Sequence, residues 1–343
     1  YNGLLEAENF AITYDETTRI FTVTLAADQQ ISLSRVLYTI PAGVYTKVAH
    51  ANASDVYYLL FNGTTFIAST SFDFGTQVVL AYVSYNATTG KGVLFDERHP
   101  ADIDKGMPPM VHAWLHVNQG AVLESGGAVS GHTLNSNTKT DMQPVIEETK
   151  IVDESLKKTL AALAAGTYKT AYRSGTVASG EWTYVNSDTP IRYDGSNNPI
   201  HNDISGVNAL STAISANNRW LNVYVIATNA YDAAYQYLWI QPQTLHTSET
   251  AAFDEDFLTA INWGDKPVAE IVPLAKFTFR RQTGAMNFRI VRAENIRGTK
   301  ISLATTTSFY LHNNLGGRSV LDTHPVSSIS NAQNEILPIE IFE

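Results

Sequence analysis

The feature that most constrains this chain is a period of two. Short runs in which apolar and polar residues alternate recur along it, closed by Gly, Asn or Pro. Alternation of that period puts every second side chain on one face of a strand. Phe10–Tyr14 and Arg19–Leu25 flank the polar turn Asp15-Glu16-Thr17-Thr18 and read as a β-hairpin. Further strands are expected at Val36–Ile40, Val44–Ala49, Asp55–Phe61, Thr65–Ser69 and Gln77–Tyr85. Pro41-Ala42-Gly43, Asn62-Gly63 and Asn86 to Gly90 punctuate them, because Gly and Asn supply the positive φ of tight turns. Residues 1–96 are therefore expected to form a jelly-roll-like β-sandwich. Phe21, Tyr38, Tyr57, Tyr58, Phe61, Phe66, Tyr82 and Tyr85 are expected in its core rather than on a sugar-binding face.

Residues 97–165 read as a junction of short helices and loops. The most densely charged stretch of the chain, Asp96-Glu97-Arg98-His99-Pro100 with Asp102 and Asp104, opens it. Arg98 reads as a structural anchor, since its planar fork can bind a carboxylate or several carbonyls at once. Met107–Asn118 is expected as a helix opened by Pro108, on which His112 and His116 share one face. Such a pair can chelate zinc, but the metalloprotease arrangement needs Glu directly after the first His, and Ala113 stands there. Glu97, Arg98, His99, His112 and His116 are thus assigned structural roles, with no metal and no cofactor. Gly120–Thr140 is expected as loops or edge strands, Val145–Val152 as a strand, and Leu156–Leu163 as an amphipathic helix stopped by Gly166.

Residues 166–305 read as a second β-rich domain, α+β or a β-sandwich. Its strands are expected at Tyr168–Tyr172, Glu181–Val185, Ile191–Tyr193, Trp220–Ala227, Tyr235–Gln241, Val272–Arg280 and Met286–Glu294. One helix capped by Ser248 is expected across Glu249–Ile261. In residues 306–343 the stretch His312–Ser330 is too polar to bury enough apolar surface to order itself, so it needs partners such as symmetry-related copies. Ile336–Phe342 reads as a last strand. The class is mainly β with a few short helices.

Composition narrows the function. With 343 residues and 44% hydrophobic content the chain can build two or three cores, yet only 16% of it is charged. Thr, Ser, Asn and Tyr cover the surface instead, which suits β-structure on an assembled particle. A net charge of −10 argues against nucleic acid and against docking on an anionic membrane. The absence of Cys excludes disulfides and thiolate metal sites and suits folding in a reducing cytosol. No apolar run is long enough to span a bilayer as a helix, so no membrane insertion is expected. The start at Tyr1, without Met or a signal-peptide pattern, suggests a processed product or part of a longer polypeptide. Gly-x-Ser-x-Gly, the P-loop and the dinucleotide fingerprint are missing from the sequence. The adjacent carboxylates Asp96-Glu97 and Glu147-Glu148 read as solvated surface, so no enzyme is expected.

Several stretches carry a resemblance. The pattern formed by His312, Asn313, Leu315, Gly317, Arg318, Asp322, His324, Pro325 and Ile329 resembles a short element of tail-fibre and related adhesion proteins of tailed bacteriophages. The resemblance implies that these residues meet at a threefold axis. Val79–Asn86, Asp96–His99 and His112–His116 resemble, in that order, modules of phage virion structural proteins, with Pro100 in place of a glycine and Gly120 retained. Trp220–Asn229 and Glu270–Phe279 are similar to the same modules, although Ile240 precedes Gln241 where a Gly-Gln pair often sits.

What this resemblance implies is a homotrimeric structural protein of the virion, tail-fibre or baseplate-attached, made in the bacterial host cytoplasm and acting in host attachment or fibre assembly. Its expected partners are its own copies, other tail or baseplate proteins and a host surface glycan. Two alternatives stay open. One is a carbohydrate-binding receptor-recognition protein using Trp182, Tyr184, Tyr193, Tyr231 or Tyr235. The other is a head fibre or capsid decoration. His312 and His324 would bring six imidazoles near an axis, open either to metal or to hydrogen bonds with carbonyls.

Overall fold

The computed structural model describes residues 2–47, 49–73, 75–99, 101, 120–153, 156–176, 181–204, 207–210, 213–264 and 271–298. The expected helix Met107–Asn118 with His112 and His116, the whole C-terminal element from His312 to Ile329, and the strand Ile336–Phe342 lie outside the described residues. The fold is mainly β and sandwich-like, in several sheets with a few short helices. Tyr1–Leu303 form one compact unit.

The expected hairpin forms, Phe10–Asp15 pairing antiparallel with Ile20–Leu25, and Gly43–Lys47 adds a third strand. Its alternation is translated directly into burial. Phe10, Ile12, Phe21, Val23 and Leu25 point inward while Ala11, Thr13 and Thr24 face solvent. A second three-stranded sheet joins Gly3–Leu4, Gln29–Leu33 and Val36–Ile40, and a four-stranded sheet runs in the order Lys91–Asp96, Val78–Asn86, Asp55–Phe61, Phe66–Ser69. These three sheets share one hydrophobic core. Of the aromatics expected inside, Phe21, Tyr57, Phe61, Phe66, Tyr82 and Tyr85 are buried, and Tyr38 and Tyr58 are half-buried. The strands Gln29–Leu33 and Lys91–Asp96 are additional to those expected; polar Gln29 and Gln30 and the interior Gly92 hide the alternation.

Val78–Asn86 is buried on both faces. Leu80, Ala81, Val83 and Tyr85 belong to the first core. Tyr82 turns the other way, stacking on Phe95 at 4.7 Å, and packs with Val56, Val93 and Ala230. That second contact is where the N-terminal sheets meet residues from the C-terminal half.

The C-terminal half is organised by an eight-stranded mixed sheet in the order Asn202–Asp203, Val207–Leu210, Tyr168–Thr176, Tyr237–Ile240, Arg219–Thr228, Ile271–Arg281, Phe288–Asn295, with Glu181–Ser187 pairing on Tyr168–Thr176. Tyr168–Thr176 and Tyr237–Ile240 run parallel. Arg219–Thr228 divides its side chains between two cores: Leu221, Val223, Val225 and Ala227 on one face, Tyr224 and Ile226 on the other. Its register with Ile271–Arg281 shifts between Val225 and Ile226, opposite Ala275 and Pro273. Proline has no N–H for the ladder and is tolerated at such a bulge. The bulge also puts Leu274 and Ala275 into the same core.

Three sequence expectations are corrected. Leu156–Leu163 is not a helix: Leu156–Leu160 is a strand, antiparallel to Thr149–Asp153. Leu-Lys-Lys-Thr-Leu also alternates, and a waiting partner strand overrides weak helix propensity. The helix expected across Glu249–Ile261 is two short ones, Glu249–Phe253 capped by Ser248 and Phe257–Ala260 capped by Asp256. The break lets Glu255 turn inward. Its carboxylate accepts from Asn222 at 2.9 Å and Tyr224 at 2.7 Å and meets His246 Nε2 at 2.6 Å, while Lys276 donates to the carbonyls of Phe253 and Glu255. Ile191–Tyr193 is no strand but carries a single bridge from Tyr193 to Pro199, because Asp194 Oδ1 collects the amides of Ser196 and Asn198 into a turn.

The folding of residues 120–153 depends on one backbone approach. Ala121–Gly126 pairs with Thr149–Asp153 across a register shift, and Gly126 has φ +75°. A Cβ there would collide with the Glu148 carbonyl oxygen, so glycine is required for steric as well as conformational reasons.

Burial sets the pH response. It pushes the imidazoles of His50, His132 and His201 below their ordinary 6.5. His50 lies stacked on Tyr57 at 3.8 Å with Tyr14 Oη 2.6 Å from its Nε2. The unfolded chain then binds more protons than the folded one just below pH 6.5, so this stabilisation is complete above 6.5 and is lost as pH falls. The melting temperature should therefore decline as pH falls below 6.5, and His50→Gln should flatten the decline. A melting temperature that rises over the same fall in pH would contradict this assignment.

Candidate functional site

The charged stretch at the junction is buried, contrary to the solvated reading of Asp96-Glu97. Asp96, Glu97 and His99 are 3%, 4% and 7% exposed. Charges withdrawn from water need partners, and the fold supplies them from four segments. Asp96 receives both arms of the Arg98 fork, Nε on Oδ1 and Nη2 on Oδ2, each at 2.7 Å. The remaining Arg98 nitrogen, Nη1, donates to the carbonyls of Ala7 at 3.1 Å and Phe10 at 2.9 Å. Arg98 thus ties the end of Lys91–Asp96 to the entry of the first hairpin. The N-terminal Leu4 amide donates to the His99 carbonyl at 3.0 Å, closing the same corner.

From the other half, Asn229, directly after the strand Arg219–Thr228, donates through Nδ2 to the Asp96 carbonyl at 3.0 Å and to Asp153 Oδ2 at 3.4 Å. Ala230 bridges to Phe95, and the Tyr231 amide donates to Leu94 O at 2.8 Å. The Tyr231 ring lies under the Arg98 guanidinium at 5.0 Å and the Lys158 ammonium at 5.4 Å. Lys158, on the corrected strand, points inward and donates to Asn229 O at 2.6 Å with Asp96 Oδ2 3.8 Å away. Burial holds its ammonium below the ordinary value, and Asp96 offsets part of that. Of the junction residues named from sequence, Glu97, Arg98 and His99 are brought together. Lys158, Asp153 and Asn229 were not singled out from sequence; their only signals were an inward-phased Lys in an alternating run and the Thr-Asn ending of a strand.

A second feature is an open cleft of about 900 Å³ in the C-terminal half. Its walls include Lys169, Asn186, Asp188, Arg192, Tyr193 and Tyr237. Tyr193 is half-buried. Its hydroxyl donates to Asp188 Oδ1 at 3.2 Å, and Lys139, paired with Asp188, sits over its ring at 5.8 Å. A ring presented among charged and amide groups can stack on a sugar while its neighbours take hydroxyls. The other aromatics considered for glycan do not line this cleft. Trp182 is buried with Nε1 donating to Trp263 O at 2.7 Å, Tyr184 packs edge-on against Tyr235, Lys169 covers Tyr235, and Tyr231 carries Arg98 and Lys158.

No family model, curated protein or solved structure matches this chain. No helix among the described residues is long and apolar enough to cross a membrane.

Replacing Arg98 with Lys would remove the bidentate bond and at least one of the two carbonyl contacts while leaving Asp96 buried. The expected loss of unfolding free energy is about 2–4 kcal/mol by denaturant titration. A change below about 0.5 kcal/mol, the usual size of a surface substitution, would show that the fork is not an anchor.

Proposed function

We propose that this chain is a structural component of a phage virion, a homotrimeric tail-fibre or baseplate-attached protein acting in host attachment or fibre assembly. The observation that carries the reading is the buried seam at Asp96–His99. A module that transmits force along a fibre needs successive β-blocks that do not hinge, and buried polar contacts at a junction resist hinging in a way that a solvated linker cannot. The segment that supplies the seam, Asp96-Glu97-Arg98-His99, is one of those carrying the resemblance to phage modules, and so is the strand that delivers Asn229. The low charge content and the mainly β architecture support the same reading. A head fibre or capsid decoration built from such modules would share this support, and labelling intact virions with antibody distinguishes head from tail.

The cleft around Tyr193 favours a second reading, receptor recognition through a host glycan. There Tyr193→Ala should weaken binding on a glycan array about tenfold, the loss of one stacked ring. An array on which the intact chain binds nothing removes that reading and leaves the structural one.

The trimer is tested by sedimentation of the full chain, expected at three times the 37.6 kDa of one copy. Arg318→Ala combined with Asp322→Ala should shift it to monomer while far-UV circular dichroism and thermal unfolding of the β-structure persist. An intact chain that sediments as a monomer overturns the fibre reading, and a doubly substituted chain that stays trimeric removes His312–Ile329 as the organiser.

A further inference from the structure

At the junction two carboxylates are buried with little positive charge beside them among the described residues. The two cations beside them among the described residues serve Asp96: Arg98 by its fork, and Lys158 from 3.8 Å. Glu97 and Asp153, 4% and 1% exposed, remain. Glu97 Oε2 lies 3.2 Å from His99 Nε2, and Asp153 Oδ2 takes a 3.4 Å hydrogen bond from Asn229. The second oxygen of each, Glu97 Oε1 and Asp153 Oδ1, is buried with no hydrogen-bond partner among the described residues. A buried carboxylate oxygen without a donor is costly, and two in one cluster ask for a common partner.

The local geometry focuses these groups on one point. The His99 amide donates to the Glu97 carbonyl at 2.8 Å, a tight turn that brings two side chains two residues apart to the same side. Asp153 reaches them from the end of Thr149–Asp153. Glu97, His99 and Asp153 each offer a ligand atom, and these atoms all lie within 4.8 Å of one another. We propose that this cluster binds one divalent cation of the zinc or manganese class.

One imidazole and two carboxylates form a mixed nitrogen and oxygen set that suits those ions, and the set contains no thiolate or thioether to favour copper(I). Ligand atoms around an ion held at about 2.1 Å stand roughly 3.0–3.4 Å apart, a spacing the His99–Glu97 pair already has. A protonated His99 would supply one positive charge against two carboxylates. A divalent ion neutralises both, takes up the two partnerless oxygens, and leaves His99 neutral as a ligand. Asn229 on Asp153 is then the outer hydrogen bond that orients a ligating carboxylate. The ion staples the corner after Lys91–Asp96 to the strand Thr149–Asp153, so its role is to hold the junction.

The test uses the full chain purified with a tag free of histidine, loaded separately with Zn²⁺ and Mn²⁺, passed through metal-free gel filtration and assayed by inductively coupled plasma mass spectrometry. About one ion per chain is expected, together with a melting temperature that rises on loading and falls with EDTA. Glu97→Gln and Asp153→Asn should each lower affinity at least about tenfold and abolish the melting shift. Circular dichroism establishes that the variants are folded. Should both fail to fold, the intact chain still decides through Co²⁺ loading, whose visible absorption must bleach as Zn²⁺ is added. An intact folded chain that retains neither ion and whose melting ignores EDTA overturns the proposal. So does stoichiometric metal that survives undiminished in the folded variants, because the ion would then sit elsewhere.

Discussion

The structure depends on one buried ion pair and what is stacked around it. Asp96 and Arg98 are two residues apart, yet their groups reach three other parts of the chain: the carbonyls of Ala7 and Phe10, the Asn229 amide and the Tyr231 ring. Isolated, such a pair gains little, since desolvation cancels most of its attraction. Its effect here is geometric. Nη1 of the guanidinium bonds two backbone carbonyls that would otherwise have to find water, so the hairpin entry and the last strand of the four-stranded sheet are fixed relative to each other. Asn229 then fixes the loop after Arg219–Thr228 against that corner.

Apolar packing repeats the same connection. The face of Val78–Asn86 opposite the first core is covered by Ala230, with Tyr184 and Tyr235 packed beside it. Val78–Asn86 is therefore buried on both sides, and its second face is closed by residues from a hundred or more positions later in the sequence. Tyr1–Leu303 form one compact unit although their hydrophobic clusters are several. A stiff joint of this kind is what the proposed place in a virion would require.

The strands were legible because their signal is local. Phe10–Leu25 shows its inward set to any reader of alternating residues, and Arg219–Thr228 and Ile271–Arg281 announce themselves as near-continuous apolar runs. Where sequence reading went astray, the deciding information lay far away. Leu156–Leu160 has both a helical and a strand phase, and Thr149–Asp153 chose between them. The break at Glu255 follows from Tyr224, Asn222 and His246, each brought from outside the two short helices. The burial of Asp96-Glu97 could not be seen, because adjacent carboxylates look solvated until Arg98, Lys158 and Asn229 arrive. Arg98 itself was legible as an anchor from its chemistry, but the carbonyls it binds, some ninety residues earlier, were not.

The central claim, that the seam makes Tyr1–Leu303 cooperative, can be read with two probes. All five tryptophans lie at Trp114 or later, so their fluorescence reports on the junction and the C-terminal half. Hydrogen exchange by mass spectrometry on peptides covering 10–25 and 78–86, followed through the same denaturant series, reports on the N-terminal sheets. The seam predicts coincident midpoints for the two signals. N-terminal peptides that open at clearly lower denaturant, with the tryptophan signal still native, would contradict it.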